Sequence, residues 1–109
     1  MFDINGEWWR VKLCSPLHPA LVRSDGSVTI GMCDDTVKTI YISEAIDSNL
    51  MKKVLCHEIT HAAMFSYNIN LDMHQEELLA DLLATYGQEI IHNTNQLFNR
   101  IKEQKGSLR

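Results

Sequence analysis

The chain has little of several features that would indicate a specialised environment. Its three cysteines, Cys14, Cys33 and Cys56, are too few and odd in number for a disulfide framework, so we expect reduced, mostly buried thiols and a cytoplasmic protein. No apolar run is long enough to span a bilayer, and the first residues lack the pattern of a signal peptide. These absences exclude a disulfide scaffold and predict that the chain has no membrane partner.

Positive charge, repeats and low-complexity tracts are also scarce. Ten Lys and Arg residues stand against fourteen Asp and Glu residues, a net charge of −4, so the basic patch typical of nucleic-acid-binding domains is not expected. With 109 residues and 45% hydrophobic content, the chain predicts one domain over residues 1–109 with a modest core.

The most informative stretch contains the pattern H-E-x-x-H, formed by His57, Glu58 and His61. Residues four apart share a helix face, so the two imidazoles can hold one metal ion. Glu58 is rotated by about 100° and can lie beside the ion, where it can take a proton from metal-activated water. Zinc suits this arrangement, because it accepts imidazole nitrogen and leaves a position open for chemistry. The plain alternative is two ordinary helix histidines, but the helical, apolar surroundings favour a metal site.

The first 43 residues have the pattern of strands. Residues 8–14 alternate apolar and polar side chains, and residues 37–42 are rich in β-branched and aromatic types. Between them, residues 20–23 and 27–32 flank Asp25-Gly26, a strong hairpin signal. We predict an α+β fold whose small, mostly antiparallel sheet has about three or four strands.

The remainder has the pattern of helices. An active-site helix is predicted over residues 48–66, capped by Asp47 or Ser48. A second helix is predicted over residues 73–100, opened by a capping box between Asp72 and Gln75 and followed by a tail at 101–109. Gly87 and the polar run 92–96 are expected to bend or split this helix. Its predicted buried stripe consists of Leu79, Leu82, Leu83, Tyr86, Ile90, Leu97 and Ile101.

A catalytic zinc site needs three protein ligands, and Glu77 on the second helix is the best candidate for the third. Asp81 lies one turn further along the same face, from which it can accept the remaining ring N–H of either histidine. Glu76 is a fallback ligand, although it points about 100° away and is expected to be solvated. His74, nearly on the face of Glu77, is a weaker fallback.

The segments His57-Glu58-Ile59-Thr60-His61 and Glu77-Leu78-Leu79-Ala80-Asp81 resemble the gluzincin pattern, H-E-x-x-H with a later E-x-x-x-D. The sequence is most similar to the ImmA/IrrE-like metallopeptidases of bacteria, phages and mobile elements, and to the very short minigluzincins. The resemblance covers residues 39–86. It implies a zincin-like fold in which both histidines and Glu77 bind zinc while Glu58 is the general base.

This resemblance, together with the chemistry, implies a zinc-dependent endopeptidase that acts on a narrow protein or peptide substrate, such as a regulator. Zincins usually place a sheet-edge strand over the cleft. If the strand at 37–42 is that edge, an extended substrate is expected to lie against Val37, Thr39, Ile40, Tyr41 and Ile42. The candidates for an oxyanion stabiliser are Tyr67, His74, Tyr86 and His92.

Two other hypotheses stay open. The zinc can instead clamp two helices to a small sheet in a non-catalytic regulatory or binding protein, although such a site has no need of Glu58 and is normally closed by a fourth protein ligand. The chain can also be a latent protease whose segment 93–109 covers the cleft. The sequence leaves the oligomeric state and the physiological metal open.

Overall fold

The structure is a computed structural model that describes residues 1–106. Four strands precede two helices, and a short 3₁₀ helix, Pro19–Leu21, lies between the second and third strands. The elements are β1 (Phe2–Ile4), β2 (Glu7–Cys14), β3 (Gly31–Asp34), β4 (Thr39–Ser43), α1 (Ser48–Ser66) and α2 (Met73–Gln104). The fold class is therefore α+β, as the sequence predicts.

The four strands form one mixed sheet in the order β1-β2-β4-β3. β1 pairs with β2 and β3 pairs with β4 in antiparallel fashion, but the central pair, β2 and β4, is parallel. Two of the three pairings are thus antiparallel, as predicted, but the central pair is parallel, because the chain crosses over between β2 and β4 and places β3 on the outer side. β1 was not predicted, although Asn5 and Gly6 both adopt positive φ in a tight turn suited to a hairpin.

The segment between β2 and β3 differs from its prediction. Residues 20–23 do not form a strand, because Pro19 opens the 3₁₀ helix and His18 caps it by accepting the backbone N–H of Ala20. Residues 27–32 are strand-like only at their end, since β3 starts at Gly31 and an isolated bridge joins Val22 to Val28. Asp25-Gly26 does form a turn, but it closes a loop that holds residues 22–30 beside the sheet.

The core lies between the sheet and α1. Trp9, Ile40, Ile42 and Ala62 form the buried cluster. The indole N–H of Trp9 donates to Ser66 Oγ at 2.8 Å, so a buried hydrogen bond joins β2 to the last turn of α1. This packing holds α1, which carries the H-E-x-x-H motif, against the sheet.

The second helix, α2, continues without a break from Met73 to Gln104, so neither Gly87 nor the polar run 92–96 interrupts it. The predicted tail is thus helical over 101–104, and its residues 107–109 lie outside the described part of the chain. Most of the predicted stripe is not buried: Leu82, Leu83, Tyr86, Ile90, Leu97 and Ile101 are exposed, Leu79 is half-buried, and Ala80 is the buried residue of this helix. The prediction of a buried stripe is wrong because α2 is longer than the elements that it packs on, so much of its apolar surface remains uncovered. Among the described residues, no helix is long and apolar enough to cross a membrane.

Candidate metal centre

Helix α1 turns His57 and His61 towards α2 and Glu58 towards β3. Asp47 caps the helix by accepting the backbone N–H of Leu50 at 2.9 Å, which fixes where the helix begins. Glu58 and His61 are buried, with 6% and 8% of their surface exposed, and the His57 side chain is 23% exposed. The motif residues therefore lie at the border between the core and an open cleft.

Helix α2 supplies the carboxylates from its first turns. Asp72 and Gln75 form the predicted capping box, in which each side chain accepts the other's backbone N–H. The helix therefore begins at a defined residue, and Glu76, Glu77 and Asp81 follow directly on the side that faces α1.

Two imidazoles and one carboxylate converge on a single point. His57 Nε2 lies 3.1 Å from His61 Nε2, and the Glu77 oxygens lie 3.2 Å and 2.8 Å from these two nitrogens respectively. His57, His61 and Glu77 thus form a group that could hold a metal ion, as the sequence predicts. Ligand atoms on a tetrahedral zinc ion with bonds of about 2.0–2.1 Å are about 3.3 Å apart, so the spacing and the chemistry of these donors fit a zinc-sized cation.

Two further carboxylates orient the imidazoles. Asp81 Oδ1 lies 3.0 Å from His57 Nδ1, and Glu76 Oε2 lies 2.8 Å from His61 Nδ1. An ionised carboxylate can only accept a hydrogen bond, so each Nδ1 carries the hydrogen and each Nε2 turns its lone pair towards the other ring. Both imidazoles are therefore held in the tautomer that a metal ion requires.

The position of Glu76 corrects the prediction that it is solvated. Only 18% of its side chain is exposed, and it holds His61 rather than joining the ligand group. Although Glu76 and Glu77 point about 100° apart on the helix, both long side chains reach His61. The fallback His74 is exposed and makes no contact with the ligand group among the described residues.

Glu58 stands beside the ligand group without belonging to it. Burial raises the pKa of its carboxyl, while His61 and His57 lower that pKa and Glu77 raises it. A carboxylate whose pKa is raised is a stronger base than an exposed one. The geometry therefore allows Glu58 to serve as a general base next to a metal ion.

Two cavities, of about 300 and 240 Å³, lie on either side of Glu58. One reaches His57 and the other His61, and both are lined by Arg23, Thr29, Gly31 and Glu58. Together they form a cleft that follows β3 past the metal centre. Arg23 is a cationic residue of this cleft that the sequence did not reveal, because nothing in its local pattern links it to the motif.

The expected substrate position depended on residues 37–42 forming the sheet edge, and this condition is not met. β4 is paired on both sides, by β2 and β3, so its backbone has no free edge for a substrate. Thr39, Ile40 and Ile42 are buried in the core, Tyr41 stacks on His18 with ring centroids 5.5 Å apart, and Val37 precedes the strand. The edge strand beside the cleft is β3, and Gly31, Met32 and Cys33 from it line the cavities.

The four candidates for an oxyanion stabiliser lie outside these two cavities. Tyr67 caps the C-terminus of α1 and is 54% exposed, and His74 is exposed on the first turn of α2. Tyr86, expected in the core, is 55% exposed, and His92 borders a groove near Cys56. Among the residues that line both cavities, Arg23 and Thr29 are the polar ones that lie outside the two helices.

Comparisons of the chain with protein-family models, with curated proteins and with solved structures find no match. The class of the protein therefore follows from its own structure: the chain is an α+β domain with a His/His/Glu group that could bind a metal ion.

Proposed function

We propose that this chain is a zinc-dependent endopeptidase of the gluzincin type, similar to the ImmA/IrrE-like metallopeptidases. The observation that carries the proposal is the convergence of His57, His61 and Glu77, with Glu58 buried beside them and open to a cleft on both sides. A purely structural metal site has no use for such a carboxyl and is normally closed by a fourth protein ligand. The group among the described residues contains three.

His57, His61 and Glu77 would hold the ion, which when bound polarises the scissile carbonyl and lowers the pKa of water. Glu58 accepts a proton from the attacking water and delivers it to the departing amine as the carbon–nitrogen bond breaks. Asp81 and Glu76 keep the two imidazoles in the required tautomer and orientation.

The substrate is an extended segment of a protein or peptide that adds to the edge of β3. An edge strand offers unpaired backbone N–H and C=O groups, and the cleft runs along this strand past Glu58. Arg23 borders both halves of the cleft, which suits it to bind a substrate carbonyl or the developing oxyanion. The shallow cavities favour a narrow substrate, such as a cytoplasmic regulatory protein, and the three free cysteines fit a reducing compartment.

The latent-protease alternative is not favoured by the course of α2. Asn93 lies sixteen residues after Glu77 on a continuous helix, about 24 Å further along its axis. Residues 93–104 therefore extend away from the metal centre and leave the cleft uncovered.

The decisive experiment compares the wild type with Glu58→Gln and with the control Glu89→Gln, which neutralises an exposed carboxyl far along α2. We expect each protein to bind one zinc ion per chain, measured by plasma mass spectrometry. Cleavage of a mixed peptide library should fall by about 10²–10⁴-fold in Glu58→Gln alone. Equal cleavage by all three would remove Glu58 from the mechanism, and a wild type that binds no zinc would refute the proposal.

A further inference from the structure

Helix α2 is much longer than the part of the protein that it packs on. Its 32 residues span about 48 Å, whereas the 19 residues of α1 span about 28 Å. The molecule accordingly measures 58 × 30 × 28 Å. Roughly the last 13 residues of α2 therefore project beyond α1, and an isolated helical segment as short as this has little stability of its own in water.

The outward side of α2 carries a row of exposed apolar residues that begins beside α1 and continues onto the projecting part, with Asn93 and Thr94 between its two halves. Tyr86, Ile90, Leu97 and Ile101 are 48–55% exposed and fall within a sector of about 60° on a helix of 3.6 residues per turn. We call these four residues the C-terminal stripe. Single exposed apolar residues are ordinary, but four on one side of a helix indicate a surface that another molecule covers. The stripe lies on a helix whose opposite face is polar.

We propose that the C-terminal stripe is a homodimer interface, in which α2 pairs antiparallel with α2 of a second copy about a twofold axis near Thr94. This register places Ile90 opposite the second copy's Leu97, and Tyr86 opposite its Ile101. Both pairings occur twice, as an isologous interface requires. The sheet and α1 of each copy then lie at opposite ends of the paired helices, where they do not clash.

Charge complementarity selects the antiparallel orientation. Glu89 and Arg100 lie about 20° apart on the same flank of the stripe. In an antiparallel pair the same flanks face each other, so Glu89 of each copy lies beside Arg100 of the other. Residues 86–104 contain two acidic and two basic side chains, a net charge of zero, so this face lacks the cationic rim that favours an anionic membrane surface.

The exposed area is also sufficient. Leu83, Ile91 and Phe98 border the stripe and are 36%, 60% and 49% exposed. With the stripe they present roughly 600 Å² per copy, close to the value of about 800 Å² per partner in stable protein interfaces. Tyr86 lies about 14 Å along the helix from Glu77, so dimerisation leaves the metal centre and its cleft free. The proposal therefore does not depend on the proposed function.

The test is sedimentation equilibrium of the full chain from 5 to 500 µM. We expect a species of twice the 12.5 kDa chain mass in the upper part of this range. Leu97→Asp should weaken dimerisation at least 100-fold, whereas the matched control Asn99→Asp, on the opposite face, should leave it unchanged. Because Leu97 is already 54% exposed, zinc content and thermal unfolding of dilute protein should be the same in both variants.

Charge reversal tests the orientation. Glu89→Arg and Arg100→Glu should each weaken self-association by about 10-fold, since each creates two like-charge pairs. An equimolar mixture of these two variants restores both opposite-charge pairs and should associate within about 3-fold of the wild type. A mixture no tighter than either variant alone would refute the antiparallel register. A wild type that stays monomeric at 500 µM, or that is monomeric and co-sediments with phosphatidylcholine/phosphatidylglycerol vesicles, would overturn the proposal.

Discussion

Gly31, the first residue of β3, provides the sharpest test of how the sheet meets the motif helix. A Cβ added at this position would lie 2.5 Å from Val54 Cγ1 and 3.2 Å from Glu58 Cγ. Carbon atoms in contact are normally about 3.5–4.0 Å apart, so the strand and the helix must separate by about 1 Å to accommodate it. We expect Gly31→Ala to lower the free energy of unfolding by about 1–3 kcal/mol, the usual cost of overpacking.

The direction of this change in the free energy of unfolding is informative. Replacing a glycine that makes no close contact with alanine is expected to raise the free energy of unfolding instead. Without steric conflict, the smaller entropy of the unfolded chain would stabilise the alanine variant by about 0.4–1 kcal/mol. The measurement is urea unfolding with a chelator present, so that metal binding does not contribute. Val54 has a stiff, β-branched side chain and cannot easily move aside.

The double variant Gly31→Ala/Val54→Ala is the control, because it removes the atom that the new Cβ would meet. We expect the double variant to be more stable than the sum of the single effects by about 1–2 kcal/mol. A Gly31→Ala protein as stable as the wild type, or a double variant that is merely additive, would refute the close approach of β3 to α1.

Three further predictions follow from single contacts. Asp81→Asn replaces the carboxylate that holds His57 Nδ1, so zinc affinity should fall about 10–100-fold in a competition titration, and an unchanged affinity would contradict this role. Burial raises the pKa of Cys33 to about 12, so its thiol should stay protonated and resist iodoacetamide at pH 8.5, and rapid labelling of Cys33 would contradict this. The stability that the protonated thiol contributes is present below pH 9 and is lost as the pH rises towards 12. Ser66→Ala leaves the buried Trp9 N–H without its acceptor, so the free energy of unfolding should fall by about 1–3 kcal/mol in urea, and a neutral effect would exclude the hydrogen bond.

The two helices and the ligand group could be predicted from local patterns in the sequence. Asp47 and Asp72 are capping residues with fixed spacings to their partners, so the starts of α1 and α2 could be predicted without knowing what the helices pack on. The same holds for His57 and His61, because four residues on a helix always bring two side chains to one side.

The features that could not be predicted depend on contacts between distant parts of the chain. Strand order cannot be deduced from the alternation of apolar residues, so the parallel pairing of β2 with β4 and the edge position of β3 were missed. The role of Glu76 also depends on the angle between α1 and α2, which no spacing within α2 determines. Arg23 reaches the cleft only because the loop after the 3₁₀ helix folds back beside β3.

The metal centre is assembled from a continuous part of the chain, from His57 to Asp81, whereas the cleft needs residues such as Gly31 from the other end of the fold. Contacts between neighbouring helices have low contact order and form quickly, but strand pairings across the chain form slowly. The ligand group can therefore come together in the helical pair before the sheet forms, and the cleft is completed only when β3 pairs with β4.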